Sequence, residues 1–93
     1  MKRTLIIDGA NIGGMEQLHG RFFAAFDFPD CYGENFDALH DCLTEICAYD
    51  AEILIRNSSS LGGSLGEKNA QTLRRVLSDS AAENPHISVR YDD

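Results

Sequence analysis

Hydrophobic and polar residues repeat with two different periods along the chain, and these periods predict strands and helices in turn. Three short apolar runs, at 4–7, 51–56 and 86–91, have the length and the residue types of strands. Apolar residues at helical spacing predict one helix over 15–26 and a second that begins after Asn35, a good N-cap residue.

A third helix is predicted in the last third of the chain. Ser64 and Glu67 have the spacing of a capping box at its start, and Asn84 followed by Pro85 marks its end. The run NSSSLGGSLG at 57–66 lies before that helix and is rich in serine and glycine. It predicts a mobile loop with little regular structure.

The predicted order of elements is β-α-α-β-α-β, with connections long enough for crossovers between parallel strands. We therefore expect an α/β fold in which a small parallel three-stranded sheet is packed with three to four helices, in a single domain over residues 1–93. The apolar positions expected in the core are Leu5, Ile7, Leu39, Leu43, Ile53, Ile55, Leu73 and Val76.

The composition and the cysteines indicate the cellular compartment of this domain. The chain is 43% hydrophobic and 25% charged, as in an ordinary soluble protein, and MKRTLIID is too short an apolar run for a signal peptide or a membrane helix. Cys31, Cys42 and Cys47 are odd in number and lack a CxxC spacing, which predicts reduced, buried thiols instead of disulfides. We expect a cytoplasmic protein without a cofactor.

The net charge of −7 is concentrated in the middle of the chain. Residues 22–55 contain eight acidic residues and no lysine or arginine, which leaves seven acidic and eight basic residues elsewhere. Because phosphate binding requires a basic surface, this charge argues against nucleic acid as a direct ligand.

Asp37, Asp41 and Glu45 lie at i, i+4 and i+8, so they share one face of the second helix, opposite its apolar stripe. Like charges at this spacing repel, at a cost of about 0.2–0.5 kcal/mol per pair. Three interpretations remain open: a solvated helix face, a carboxylate cluster that holds a metal ion, and an anionic surface for a basic partner.

The segment YGENFDALHDCLT at 32–44 closely resembles the signature of the barstar family, whose members inhibit secreted ribonucleases. The resemblance extends to LIIDGANIGGMEQLH at 5–19, where the family has its first strand, turn and helix, and to AQTLRRVLSDSAAENPHISV at 70–89, where it has its last helix and strand. It favours the third interpretation and implies a barstar-like fold.

The resemblance also implies a binding site in which carboxylates take positions that RNA phosphates otherwise occupy. Asp41 would be the central anion, flanked by Asp37, with Thr44 and Glu45 at the helix end and Asp79 on the last helix. The residues around them would be Cys31, Asn35, His40 and Ile46. The implied partner is a basic extracellular, barnase-like ribonuclease bound 1:1, and the implied role is immunity, without catalysis by this chain.

The chain departs from the family pattern at several of these positions. The best-known member has aromatic contact residues where this chain has Cys31, His40 and Ile46, and it has a glycine in place of Glu45. Since aromatic anchors are common hot spots, their absence should change the choice of partner even if the electrostatic mode is retained.

Two further sets of residues could suggest a metal site. His19 and His40 with Cys42 or Cys47 match no strong zinc spacing. LIIDGAN also resembles the start of PIN-like nucleases, in which Asp8 would bind a metal ion. The second strand, however, ends in Arg56-Asn57, and the only further acids at a strand end are Asp92 and Asp93.

Overall fold

The computed structural model describes all residues from 1 to 93 and has three strands, four α-helices and one short 3-10 turn. In chain order these are β1 (Lys2–Asp8), α1 (Met15–Phe26), α2 (Phe36–Thr44), β2 (Asp50–Arg56), the 3-10 turn (Ser58–Ser60), α3 (Leu61–Leu65), α4 (Glu67–Glu83) and β3 (Ile87–Asp92). None of the helices has the length and apolar content needed to span a bilayer.

The strands form one parallel sheet in the order β1-β2-β3, which confirms the predicted α/β fold. Leu5 is in register with Ile53 and Ile7 with Ile55, so these side chains point to the same face of the sheet and are fully or almost fully buried there. Because each strand follows the previous one in space, every connection is a crossover that carries helices over that face.

The helices complete a single core against the sheet. α1 packs beside β1, α4 packs beside β3, and α2 packs mainly against α4. Leu39, Leu43, Leu73 and Leu77 are fully buried, and they join the two helices. Val76 was expected in the core but is only partly buried, because its side chain lines the groove between α2 and α4.

The prediction of a mobile loop at 57–66 is wrong. This segment forms the 3-10 turn and α3, in which Leu61 and Leu65 are buried. They lie four residues apart and so present one apolar face of a short helix to the core. Burial of these two leucines outweighs the low helix propensity of the surrounding glycine and serine residues.

The predicted capping box at Ser64 is also wrong. Ser64 lies within α3, and its hydroxyl donates a hydrogen bond to the carbonyl oxygen of Gly9 (2.7 Å). The N-cap position of α4 is Gly66, which has φ of 91° and no side chain with which to cap. Ser64 therefore ties α3 to the turn after β1.

The three cysteines are free, as predicted, but they are not uniformly buried. Cys31 and Cys47 are exposed and Cys42 is partly buried. Cys31 lies in the connection between α1 and α2, and Cys47 follows the end of α2, so both are on irregular surface segments. The prediction of buried thiols is wrong for these two residues.

Candidate functional site

A groove of about 540 Å³ runs between α2 and α4 and brings together three of the predicted site residues that carry carboxylates. We call it the acidic groove. Its lining consists of Phe36, Asp37, His40, Asp41, Thr72, Arg75, Val76 and Asp79. Asp79 is 38 residues beyond Asp41 in the sequence (79 − 41), and the packing of α4 against α2 places both at one site.

The direction of the acidic side chains follows from how α2 is built. The side-chain oxygen of Asn35 accepts a hydrogen bond from the backbone N–H of Ala38 (2.8 Å), which fixes the start of the helix. Leu39 and Leu43 are fully buried, so the opposite face, with Asp37 and Asp41, is exposed. Asp37 in the first turn also interacts favourably with the helix dipole.

The carboxylates of the groove have no lysine or arginine as an ion-pair partner. Elsewhere in the protein such pairs do form, between Lys2 and Glu52 and between Arg3 and Asp27. Arg75 lines the acidic groove but makes no ion pair with its carboxylates. Three aspartates therefore share the groove with one arginine without pairing to it, and this face keeps a net negative charge.

At the centre of this face, His40 is the only residue whose side chain contacts other ionisable side chains. Its Nε2 atom lies 2.5 Å from Oε2 of Glu83 on α4, and its Nδ1 atom lies 3.9 Å from Oδ1 of Asp41. Glu83 was missed in the sequence, although it lies four residues after Asp79 and therefore on the same face of α4. His40 links the acidic residues of the two helices.

The other predicted site residues differ in how much surface they offer. Thr44 donates its hydroxyl proton within the helix, to the carbonyl oxygen of His40 (2.9 Å) or Asp41 (3.1 Å), and Glu45 is exposed just after the helix ends. Cys31 is exposed, whereas the side chain of Asn35 is engaged in the cap. Ile46 is 9% exposed and belongs to the core, so the structure does not support it as a contact residue.

The C-terminal end of α2 is held by Asn84, whose sequence position predicts only the end of α4. Its side-chain NH₂ group donates to the carbonyl oxygens of Leu43 (2.9 Å) and Ile46 (2.8 Å), with a longer contact to Thr44 (3.4 Å). Asn84 is 4% exposed. The Leu43 carbonyl also accepts from the backbone N–H of Ile46 (3.3 Å), so Asn84 adds a second donor there and supplies the donor for the Ile46 carbonyl, where water has little access.

The partly buried thiol of Cys42 lies behind the acidic face. Burial raises the pKa of Cys42, and the nearby carboxylates of Glu45 and Asp41 raise it further. The thiolate form is therefore disfavoured at neutral pH, and this thiol is a poor nucleophile and metal ligand.

Asp8, the residue expected to bind a metal ion in the nuclease alternative, is bonded to its own chain. Its carboxylate accepts hydrogen bonds from the Ala10 backbone N–H (3.0 Å) and from the side chains of Asn11 (2.6 Å) and Asn57 (2.8 Å). These bonds lower the pKa of Asp8, with the Asn57 bond contributing most. Asp8, Asp92 and Asp93 line one surface hollow. Nowhere in the protein, however, are three acidic, histidine or cysteine side chains placed to hold a metal ion.

Comparison with known proteins gives two findings. Residues 2–91 match the family described as Barstar (barnase inhibitor). The chain is also 42% identical over 55 residues to a protein of Bacillus subtilis (strain 168) named "Putative ribonuclease inhibitor YrdF". That alignment spans 59% of this chain and 60% of the relative, whereas the family match spans nearly the whole chain.

Proposed function

Since the chain belongs to the barstar family, we propose that it inhibits a basic, secreted, barnase-like ribonuclease by inserting the acidic groove and the end of α2 into the active site. The carboxylates would take the places of RNA phosphates, and the complex would be 1:1. In the cytoplasm of a cell that secretes such an enzyme, this inhibitor would give immunity. The chain would supply no chemistry of its own.

The observation that supports this proposal best is the net negative charge of the acidic groove, whose three aspartates pair with no lysine or arginine. Asp37 and Asp41 repel each other along α2, and Asp79 adds a third negative charge from α4. A cationic active site would relieve this repulsion on binding, which favours association with a basic enzyme over other partners. The same charge would steer the encounter, so the association rate should fall as salt rises.

Each predicted site residue would have a position in the interface. Asp41 would be central, Asp37 and Asp79 would flank it, and Thr44 with Glu45 would extend the surface past the helix end; the three aspartates line one groove. Cys31, Asn35 and His40 would surround this centre. Ile46, being buried, would support Glu45 from below instead of touching the enzyme. Because Cys31, His40 and Ile46 stand where the family has aromatic contact residues, and Phe36 is the one aromatic residue that lines the groove, we expect specificity to rest more on charge than on apolar contact.

Titration of the protein into a barnase-like ribonuclease, with RNA cleavage as the readout, tests the proposal. Inhibition should be complete at one equivalent. Asp41→Ala should weaken binding by more than about 2 kcal/mol, or roughly 30-fold; hot spots of this kind were established on a member of this same family, so the magnitude is an analogy.

Glu52→Ala is the control, because Glu52 lies on β2, outside the acidic groove, and pairs with Lys2. It should change binding by less than about 1 kcal/mol, the range of an exposed ion pair. Equal binding by the two variants, with both folded by circular dichroism, would show that the acidic groove is not the inhibitory surface.

A further inference from the structure

A second hollow, of about 360 Å³, lies beside α1 and shares no lining residue with the acidic groove. We call it the α1 pocket. It is lined by Glu16, His19, Gly20, Phe23, Asp30, Tyr32 and Glu34. The ring of Phe36, which lines the acidic groove, packs against the ring of His19 with centroids 6.1 Å apart, so the two hollows are neighbours.

The rim of the α1 pocket is negatively charged. Glu16, Asp30 and Glu34 make no ion pair, and no lysine or arginine lines the pocket. Acidic residues alone often form nothing more than a solvated surface. Two further features, at His19 and at Gly20, distinguish this hollow from such a surface.

His19 is 3% exposed and places a polar atom without a protein partner at the pocket. Its Nδ1 atom is hydrogen-bonded to the Tyr32 hydroxyl, while its Nε2 atom has no such bond and is not sealed from solvent. Burial lowers the pKa of His19, an effect that the Glu34 carboxylate partly opposes, so the ring is neutral at neutral pH. When Nδ1–H donates to the tyrosine oxygen, Nε2 presents a free lone pair to a ligand.

Gly20 lies in the interior of α1, where glycine costs about 1 kcal/mol relative to alanine. A Cβ atom built at this position would meet no atom within 4 Å, so packing does not require glycine there. Gly20 also lacks a positive φ, so its backbone conformation does not require glycine. The missing side chain instead leaves one wall of the α1 pocket open.

The shape and the donor set select the class of ligand. No three carboxylate, histidine or cysteine groups are close enough to hold a metal ion, so a single small cation does not fit the site. Phe23 is 37% exposed, and its ring centroid lies 6.5 Å from that of Tyr32, which gives the pocket an aromatic wall. Aromatic walls with nearby carboxylates favour cations that carry an organic stem.

We propose that the α1 pocket binds an organic cation, a guanidinium or primary ammonium group on an apolar stem. The N–H groups would donate to the carboxylates of Glu16 and Glu34 and to Nε2 of His19, and the stem would lie against Phe23. The cation can come from a free small molecule or from an arginine or lysine side chain of the ribonuclease. The second source rests on the function proposed above.

Binding can be tested with n-butylguanidinium as the probe and n-butylurea as a neutral probe of similar shape. Titration of the ¹⁵N-labelled protein should give saturable shifts of the amide signals of His19, Tyr32 and Glu34 with the cation, and much smaller shifts with the urea. Absence of saturable shifts, or equal shifts with the two probes, would overturn the proposal.

Variants locate the site. The double change Glu16→Gln with Glu34→Gln should weaken cation binding by at least about tenfold, since it removes two charged acceptors. Gly20→Leu should abolish binding by filling the pocket while favouring the helix. Glu67→Gln, at an exposed acid on α4 without an ion pair, should leave binding unchanged. A double variant that binds as tightly as the unaltered protein would refute the assignment.

The same variants distinguish the two sources of the cation. If the Glu16→Gln and Glu34→Gln double variant releases the ribonuclease faster than Glu67→Gln does, a side chain of the enzyme occupies the pocket, whereas a change confined to the association rate reflects only lost charge steering and leaves a free cation as the ligand. If inhibition is unchanged while n-butylguanidinium binding is lost, the ligand is a free cation. Failure of the unaltered protein to inhibit any ribonuclease would overturn the proposed function alone, since the binding experiment contains no enzyme.

Discussion

Replacing Asn84 by alanine would remove the buried amide that holds the last turn of α2. In the native protein this amide donates to the carbonyl oxygens of Leu43 and Ile46 at 2.9 and 2.8 Å. Both bonds are buried, so water cannot readily replace the lost donor. Without Asn84 the Ile46 carbonyl has no partner, at a cost of about 1–3 kcal/mol, whereas the Leu43 carbonyl keeps the bond from the Ile46 backbone N–H and loses one bond worth about 1 kcal/mol, so we expect a loss of about 2–4 kcal/mol.

This is a large share of the roughly 5–15 kcal/mol by which a domain of this kind is stable. Urea unfolding followed by circular dichroism measures it, because the midpoint falls while the slope stays the same if only stability changes. Asn69→Ala is the matched control: its amide makes one partly buried bond, to the Leu65 carbonyl (2.9 Å), and alanine favours the helix. That change should cost less than about 1 kcal/mol. A loss for Asn84→Ala no greater than that of the control would refute the anchoring role.

Three further predictions concern the fold around the site. Gly9→Ala should lower the free energy of unfolding by about 1–3 kcal/mol in urea melts, since its Cβ would lie 2.4 Å from the Asn57 carbonyl oxygen; an unchanged midpoint would contradict this. Asn35→Ala should cost about 1 kcal/mol through loss of the α2 cap, and thermal unfolding at the same temperature as the unaltered protein would speak against the cap. The pKa of His19 is lowered in the folded state, so the unfolded chain takes up the proton more readily and stability should fall as the pH drops below about 6.5, by at most about 1.4 kcal/mol per pH unit. Between pH 5 and 8 the urea midpoint should depend less on pH in His19→Gln than in the unaltered protein. The same pH dependence in both proteins would exclude His19 as the cause.

The regular elements could be predicted because local pattern and tertiary burial agree in them. The apolar spacing at 15–26 coincides with α1, and Asn35 caps α2 as predicted. At 57–66 the two signals conflict: serine and glycine dominate the composition, while the leucines at 61 and 65 carry the burial. Composition was the wrong guide there, because two buried side chains are enough to fix one helical turn against a core.

The part of the candidate site that lies on a single helix could be predicted from the sequence. The spacing of Asp37 and Asp41 places both on one face, and the family resemblance adds Asp79 to the same groove. The contacts of His40 with Glu83 and of Asn84 with α2 depend on how α4 crosses α2, which no local pattern specifies. The burial of Ile46 could not be predicted for a related reason: the helix ends at Thr44, and of the residues just after it Glu45, Cys47 and Ala48 are exposed while Ile46 is buried.

The bond between Asn84 and Leu43 joins positions 41 residues apart in the chain. As the protein is synthesised from its N terminus, α2 therefore emerges from the ribosome well before the residue that secures it. A nascent chain shorter than 84 residues lacks this anchor, and its acidic helix is free to fray. The end of α2 is thus secured late in translation, only after α4 has been made.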